Sequence, residues 1–501
     1  MLENNKSSED ATRLLLEQAI RYGRSKQSPH TGYIHYCYQT LEEDEKSCIP
    51  LMENLLFALA LFHTRTMENI VEGKELINKL LFFQCLEGEF SAGNFPVYLH
   101  EYPACKDRLL AVHLLPPFYW ILKLYASVLG NELKKRLESA VLAALEHCLK
   151  AYRERKIPIS FAMKIGAAAQ GIGKLLQKEE IEHEGESIMA TLSASHSLES
   201  WSSPAAIGDA LIALQILYSD ISSSPWSFLW DYLAKTWCSE TCAYIGPPLK
   251  EFQYGKEPQP TLYDLFLGVF SGTFSQRAFL PQAFILQGVL IRAPGVPLPV
   301  LTRPYSHNSK INGGKWHVEQ HERYAYTTFE TENPVSMASD KGLHDFRLIW
   351  GSAKQLHTFV CQGGNRSHTA VTNGADCVEF TFTLGDVPLV EDREKSREAI
   401  FYFDSTEDQK IMVKGKKSTT FLLGEKIEVI TDALKIQIHF ELVEGSGDFF
   451  GHIMRGNRPS QVALRGENRY NAYDWQLFVR TLRRSEKCVI KAYVTFQPVE
   501  K

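Results

Sequence analysis

The spacing of apolar residues changes near residue 295, and this change predicts two structural halves. Before it, apolar residues recur every three or four positions, as in 51–62, 109–129 and 205–218, which is the period of a helix with a buried face. After it, apolar and polar residues alternate in short runs such as 377–384 and 488–496, which is typical of β-strands. The pattern predicts a helical half followed by an all-β half.

A proline-rich segment separates the two halves. Residues 294–299 read Pro-Gly-Val-Pro-Leu-Pro, and such a segment neither continues a helix nor pairs freely in a sheet. We therefore expect a helical domain at 1–293, a linker at 294–299 and a β-domain at 300–501.

The helical half contains about eleven predicted helices. Ser203 followed by Pro204 is a typical helix start, with a capping residue before a first-turn proline. Residues 166–173 form a small-residue face of Gly and Ala, which would let another backbone approach closely. The predicted helices are 9–23, 49–63, 67–83, 107–129, 131–153, 159–177, 179–192, 203–219, 225–243, 261–271 and 278–290.

The loops between these helices alternate in length. Short turns follow some helices, whereas long loops rich in aromatic residues, Gly, Pro and His occupy 27–47, 84–106, 191–202 and 244–260. Each long loop runs into a helix with a buried pattern. Helical hairpins of this kind predict an incomplete α/α toroid whose long loops gather at one rim, around a central cleft. No fixed repeat length supports a regular solenoid.

The second half has roughly fourteen candidate strands, including 316–318, 335–338 and 436–441. Turns rich in Gly and Asn separate them. This spacing predicts a large antiparallel β-sandwich.

Composition limits the possible functions. The chain has 501 residues, 44% of them hydrophobic, and a formal net charge of −5, so no global basic field favours nucleic acid as a partner. No stretch approaches the ~20 apolar residues of a membrane span, and the first residues lack a signal-peptide pattern. We therefore expect a cytoplasmic protein with no membrane partner.

The ten cysteines are scattered in mostly apolar contexts, which indicates reduced thiols. Cys238 and Cys242, four apart on a predicted helix, could share a metal, but no second ligand pair accompanies them. The sequence also lacks a phosphate-binding Gly-x-x-x-x-Gly-Lys-Ser/Thr loop, a Gly-x-Ser-x-Gly elbow and a His-Glu-x-x-His helix. No metal or other cofactor is predicted.

The segment 87–103 is the richest in candidate chemistry. It places Asn94, Tyr98, His100, Glu101 and Tyr102 within nine residues, in a loop restricted by Gly and Pro. Several of these groups can donate or accept a proton. The alternative is a packed aromatic loop whose polar tips are satisfied by backbone groups.

Other loops could face the same cleft, and their candidate residues come from both halves. An arginine there would bind a carboxylate with two hydrogen bonds. The alternatives are a capping histidine, a solvated hairpin tip or an interdomain salt bridge. The candidates are His196 and Trp201, Glu251 and Tyr254, and, in the β half, His344, Arg347 and Arg366.

The domain order resembles that of the heparinase II/III-like and chondroitin/hyaluronate lyases, which join an incomplete α/α toroid to an antiparallel β-sandwich. The segment 93–103 is similar to their Asn-aromatic…Glu…Pro loop, and 321–339 resembles their first sandwich strands. The family's His-then-Tyr pair at short spacing after the Asn loop is not evident. His196 and Tyr254 are possible substitutes at a different spacing.

This resemblance implies β-elimination on an acidic, uronate-containing oligosaccharide or polysaccharide. Asn94, aided by Arg or His, would stabilise the enolate-like charge. Tyr254 or His100 would be the base and Tyr98 the acid, with His196 as a further catalytic candidate. The implied substrate-binding residues are Glu101, Tyr102, Trp201, Glu251, His344, Arg347 and Arg366.

Two other functions stay open at this point. One is a glycoside hydrolase on an α/α toroid, with two carboxylates such as Glu101 and Glu251. The other is a non-catalytic carbohydrate-binding or scaffold protein with a degenerate lyase-like fold. A substrate-facing Asn94 predicts that Asn94→Ala abolishes turnover and leaves the melting temperature nearly unchanged.

Overall fold

The structure, a computed structural model, describes most of the chain. The described residues are 2–38, 48–88, 91–194, 203–247, 262–274, 285–311, 314–331, 346–352, 356–361, 367–372, 376–385, 397–406, 408–455 and 475–499. Within them, ten α-helices precede two large antiparallel sheets. The predicted fold class, an incomplete α/α toroid followed by an antiparallel β-sandwich, is confirmed.

The helices form two layers. They are α1 (Leu2–Lys26), α2 (Leu51–Thr64), α3 (Met67–Leu80), α4 (Leu110–Leu129), α5 (Asn131–Glu154), α6 (Ile159–Leu176), α7 (Glu179–Ala194), α8 (Pro204–Leu217), α9 (Ser227–Thr236) and α10 (Leu262–Phe270). Successive even-numbered helices pack on one another, and α3, α5 and α7 each pack against the helix before them. Burial follows this division, since α2 buries 11 of its 14 residues and α3 buries 4 of 14. The even-numbered helices are therefore the inner layer.

Short turns reverse the chain between inner and outer helices. Arg65 after α2, Gly130 after α4 and Gln177 after α6 have φ values of 57°, 80° and 54°, which allow a sharp reversal. Because each outer helix returns antiparallel to its inner partner, α2, α4 and α6 begin at the same rim. Helix α1 and the turn Leu286–Leu290 contact both α2 and α10, the first and last inner helices.

The small-residue face of α6 has the predicted role. A Cβ on Gly171 would lie 2.7 Å from a methyl carbon of Ile216 in α8. On the facing helix α7, a Cβ on Gly185 would lie 2.3 Å from the backbone nitrogen of Gln170. These helices approach each other too closely for larger side chains at these positions.

Helix α4 is the one described helix that is long and apolar enough to cross a membrane by those two criteria. In the structure, 67% of its apolar window is buried inside the protein. Its apolar composition fits its place in the inner layer.

The β half contains two sheets. Their strands are β3 (Tyr305–Ile311), β4 (Gly314–Gln320), β5 (Tyr324–Thr331), β6 (Phe346–Gly351), β7 (Leu356–Cys361), β8 (Ser367–Thr372), β9 (Cys377–Leu384), β10 (Arg397–Phe403), β11 (Lys410–Val413), β12 (Lys416–Lys417), β13 (Thr420–Phe421), β14 (Lys426–Ile430), β15 (Leu434–Glu444), β16 (Gly447–Arg455), β17 (Trp475–Arg484) and β18 (Cys488–Pro498). The nine-stranded sheet has the order β13-β16-β17-β10-β7-β6-β5-β4-β3, and the seven-stranded sheet β12-β11-β14-β15-β18-β9-β8.

The nine-stranded sheet is covered on both faces. Trp316, Val318 and Ile349 join the hydrophobic core of the helical half. Phe346 and Phe359, which alternate with these positions, belong to a second core shared with the seven-stranded sheet. The sheet therefore lies between the toroid and the outer sheet.

Some predicted elements differ from the structure. The predicted helix 225–243 ends at Thr236, whose hydroxyl donates to the carbonyl of Tyr232. A two-stranded hairpin follows, β1 (Trp237–Cys238) paired with β2 (Ala243–Tyr244), because the Ser-Glu-Thr at 239–241 favours a turn over a helix. Of the predicted helix 278–290, the described part is a short 3₁₀ turn, and strand 335–338 lies outside the described residues.

Candidate functional site

A polar or charged residue interrupts the apolar start of each inner helix. All five residues lie in the first two turns of their helices, where the chain enters the ring. We call this set the polar ring and treat it as the candidate functional site. It consists of Glu53 in α2, His113 in α4, Lys164 in α6, Asp209 in α8 and Asp264 in α10.

Lys164 joins three of the inner helices. Its side chain is 2% exposed, and its Nζ lies 2.5 Å from Asp209 Oδ1 and 3.0 Å from His113 Nδ1. A buried ammonium without a partner would cost several kcal/mol, so these contacts account for its burial. The Asp209 side chain is 21% exposed, and the group therefore reaches solvent on that side.

His113 is neutral in this group. Burial and, to a smaller extent, the Lys164 ammonium lower its pKa to about 3, although Asp209 opposes the effect. Since Nδ1 accepts a hydrogen bond from Lys164, the ring proton is assigned to Nε2. The edge of the Phe161 ring packs against the imidazole, with ring centres 4.8 Å apart. Together the group offers an ammonium that is shared with the Asp209 carboxylate and one neutral N–H donor.

Glu53 is a carboxyl group that titrates near neutral pH. It is 5% exposed, and burial raises its pKa to about 7, although a hydrogen bond from Tyr38 opposes the rise. The Tyr38 hydroxyl donates to Glu53 Oε2. Burial, and then the Glu53 charge, raise the pKa of Tyr38 as well, so its hydroxyl keeps its proton. The Tyr38 residue is 45% exposed and links the buried carboxyl to the surface.

Two residues predicted from the sequence lie beside this pair. The Tyr98 hydroxyl accepts a hydrogen bond of 2.9 Å from the backbone N–H of Tyr38. Its ring stacks on His100, with centres 5.5 Å apart and planes 9° apart. Tyr98 is 8% exposed and burial raises its pKa, whereas His100 is exposed. The structure thus brings Tyr98 and His100 together with Tyr38 and Glu53.

Asn94 has structural contacts, contrary to the expectation that it faces substrate. Its side chain is fully buried. Its Oδ1 accepts from the backbone N–H of Ala111 at 3.0 Å, and its Nδ2 donates to the carbonyl of Asp107 at 2.7 Å and to Cys105 Sγ at 3.2 Å. Ala111 is in the first turn of α4, where backbone N–H groups lack helical partners. Asn94 therefore caps α4, and this geometry does not place it against a sugar carboxylate.

Glu101 and Tyr102 follow His100 in the chain and pack against nearby parts of the loop. The Glu101 side chain is 11% exposed, with Lys106 Nζ at 3.8 Å. The Tyr102 ring packs against the rings of Phe82 and Phe83. Their predicted contacts with substrate stay predictions.

Arg347 lies where the nine-stranded sheet meets the helical half. It is 3% exposed, and its Nη1 donates to the carbonyl of Tyr244 at 2.9 Å. The Tyr244 ring in turn packs edge-on against Tyr263 in the first turn of α10. Arg347 therefore connects the sheet to the rim through the β1–β2 hairpin, and its predicted contact with substrate stays a prediction.

The remaining predicted site residues are not described by the structure. Their places in the site stay predictions. They are His196, Trp201, Glu251, Tyr254, His344 and Arg366.

Sequence reasoning missed all five residues of the polar ring, and it missed Tyr38. A usable signal was present, since Glu53 and Lys164 are single charges inside otherwise apolar helix starts. A charge at such a position is rarely left unpaired in a core. It therefore indicates either an interhelical bridge or a functional group.

The described residues contain no group of three His, Cys, Asp or Glu side chains that could bind one metal ion. All ten cysteines are free thiols. Cys238 and Cys242 lie on the β1–β2 hairpin and its turn instead of one helix face, and Cys242 Sγ contacts the carbonyl of Ser239.

No protein-family model matches the sequence, and no curated protein matches it. Solved structures match the fold. A xanthan lyase from Paenibacillus matches with a TM-score of 0.50 and 8% identity, over 99% of this chain and 57% of its own length. A chondroitin AC lyase from Streptomyces coelicolor A3, in complex with chondroitin sulphate, matches with a TM-score of 0.49 and 8% identity, over 98% and 79%. A heparinase III matches with a TM-score of 0.45 and 8% identity, over 100% and 84%. The protein therefore has a polysaccharide lyase-like fold.

Proposed function

We propose that this protein cleaves an acidic, uronate-containing polysaccharide by β-elimination at the polar ring. The proposal depends on one observation: a buried carboxyl that titrates near neutral pH and a buried ammonium–imidazole group lie at the starts of inner helices of a lyase-like toroid. β-Elimination removes the proton on the carbon next to the carboxylate and protonates the leaving oxygen. It also requires that the carboxylate charge be neutralised while the enolate-like state forms.

Lys164 and His113 bind that carboxylate in our proposal. Lys164 supplies an ammonium that the substrate carboxylate shares with Asp209, and His113 supplies a neutral Nε2–H donor. Both are held by contacts to Asp209 and Phe161, so little reorganisation is needed when the charge develops.

Tyr38 and Glu53 supply the proton to the leaving oxygen. A protonated Glu53 can donate to the Tyr38 oxygen, which leaves the Tyr38 proton free to pass to the leaving group as the carbon–oxygen bond breaks. The Glu53 proton then restores Tyr38, and solvent restores Glu53. His100, exposed beside Tyr98, takes the proton from the carbon next to the carboxylate. Tyr38 thus takes the acid role first assigned to Tyr98, whose hydroxyl accepts from the Tyr38 backbone N–H and donates to Cys37 Sγ.

The test is incubation with chondroitin sulfate, heparan sulfate and xanthan, followed by the ultraviolet absorbance of an unsaturated sugar product. We expect Tyr38→Phe to lower the rate by about 10²–10⁴-fold. Tyr33→Phe is the matched control, because Tyr33 is in the same loop and its ring lies under Lys79. Since Glu53 acts in its protonated form, the rate should fall as pH rises through about 7, and Glu53→Gln should remove this limb. A wild-type rate in Tyr38→Phe, or no unsaturated product from any of the three polymers, would refute the proposal.

A glycoside hydrolase is the second candidate, because a carboxyl with a pKa near 7 is also typical of a glycosidase general acid. Asp209 or Glu101 would then be the second carboxylate. New reducing ends without ultraviolet absorbance would indicate hydrolysis. Binding of the polymers with neither product would indicate a non-catalytic protein.

A further inference from the structure

A groove of about 530 Å³ lies on the β half, where the nine-stranded sheet ends in β13, β16 and β17. Its walls combine apolar side chains with one arginine. The lining residues that matter for its chemistry are Leu422, Glu425, Phe450, His452 and Arg480.

Phe450 and Arg480 are direct neighbours across two strands. They pair in the register of β16 and β17, so their side chains share a face of the sheet. Phe450 is 43% exposed, which is unusual for a large aromatic side chain on a sheet. Arg480 Nε is buried and has no hydrogen-bond partner in the part of the chain that the structure describes. A buried N–H without a partner is costly, so this position favours an acceptor beyond the described residues.

The carboxylate in the groove does not neutralise Arg480. Glu425 is paired with Lys414 at 2.6 Å and accepts from the backbone N–H of Leu422 at 2.9 Å, and these contacts lower its pKa. The His452 ring is held against Phe478, with centres 5.4 Å apart. The positive charge of Arg480 is therefore available beside an exposed aromatic ring.

The groove is on the same side of the sheet as the contact with the toroid. Strand pairing places Arg347, Val360, Tyr402 and Arg480 on one face, across β6, β7, β10 and β17. Three strand spacings of about 4.8 Å separate β6 from β17, or about 14 Å. The groove shares no lining residue with the polar ring and belongs to the toroid-facing side of the β half.

We propose that this groove is a second, non-catalytic binding site for a uronate residue of an acidic oligosaccharide. The sugar carboxylate would accept from Arg480 Nε in a charge-assisted hydrogen bond, and the apolar face of the sugar would pack on Phe450. The choice of a saccharide as ligand rests on the proposed function. The choice of an acidic sugar rests on the charge of Arg480 and on Glu425, whose carboxylate is already paired with Lys414 and does not neutralise that charge.

The test is calorimetric titration of an unsulfated uronate-containing tetrasaccharide in the Tyr38→Phe background, where turnover should be about 10²–10⁴-fold slower and little ligand is consumed. We expect two binding sites per chain, and one after Arg480→Met is added. Arg483→Met is the matched control, because Arg483 is exposed on the same strand but is not among the groove-lining residues. Phe450→Ala should weaken the same site by at least about tenfold, since aromatic side chains contribute strongly to binding.

The outcomes separate the two proposals. If the background variant shows one binding site and Arg480→Met removes it, the result would support the groove. The same result would count against ligand binding at the polar ring. Identical titrations of Arg480→Met and Arg483→Met would overturn the groove, as would unchanged binding of a carboxyl-reduced tetrasaccharide. Thermal unfolding of each variant shows whether a loss of binding is caused by a loss of the fold. If Arg480→Met is unfolded, the binding of Phe450→Ala tests the groove in its place.

Discussion

Replacing Glu53 with glutamine tests the energetic consequence of its burial. Glutamine has nearly the same shape and can still accept a hydrogen bond from Tyr38, but it does not titrate. In wild type, burial raises the Glu53 pKa from 4.5 to about 7. Between these two pH values the folded protein keeps the proton that the unfolded chain has lost.

The sign and size of the effect follow from this difference. Because the unfolded state binds fewer protons between pH 4.5 and about 7, stability falls as pH rises through this window and is constant above it. At about 1.4 kcal/mol per pKa unit, the contribution lost is about 3 kcal/mol. Glu53→Gln should lack this pH-dependent contribution, so the unfolding free energy of the variant should increase relative to that of wild type as pH rises.

The measurement is the free energy of unfolding from urea denaturation at several pH values from 5 to 8. Other titrating groups are common to both proteins and cancel in the difference. Glu68→Gln is the control, since Glu68 is exposed on α3 and should give a curve parallel to wild type. If the Glu53→Gln and wild-type curves are also parallel, the carboxyl does not titrate as the structure implies.

Two further predictions concern the other polar contacts of the helical half. Asp209→Asn leaves the Lys164 ammonium buried without its carboxylate and should cost about 3–5 kcal/mol of unfolding free energy. Lys164→Met removes the buried charge itself and should cost less. Equal losses of unfolding free energy in the two variants would contradict this account. Asn94→Ala leaves the Ala111 N–H and the Asp107 carbonyl without their partner and should cost about 2 kcal/mol or more, measured by thermal unfolding against the exposed control Asn131→Ala. An unchanged melting temperature would instead support the expectation that Asn94 faces substrate.

Much of the fold could be predicted because its signals are local. The runs 377–384 and 488–496, chosen for their alternation alone, are neighbouring strands, with Cys488 opposite Leu384. Most helices match their predicted bounds closely, since a 3.6-residue period is visible within one turn or two. The order of the two parts, a toroid and then a sandwich, was predicted from the same patterns and from the proline-rich segment at 294–299. The hairpin after Thr236 was missed because weak local preferences at 239–241 decided it.

The candidate site depended on contacts that the sequence does not display. Lys164 is 51 residues from His113 and 45 from Asp209 along the chain, and only the packing of α4, α6 and α8 brings them together. The raised pKa of Glu53 comes from burial, which is a property of the whole ring. Asn94 shows the reverse case, because its residue type fits catalysis but its neighbours make it a helix cap. Periodicity determines which face of an element is apolar, whereas the charge state and partners of a polar group are set by the side chains that surround it after folding.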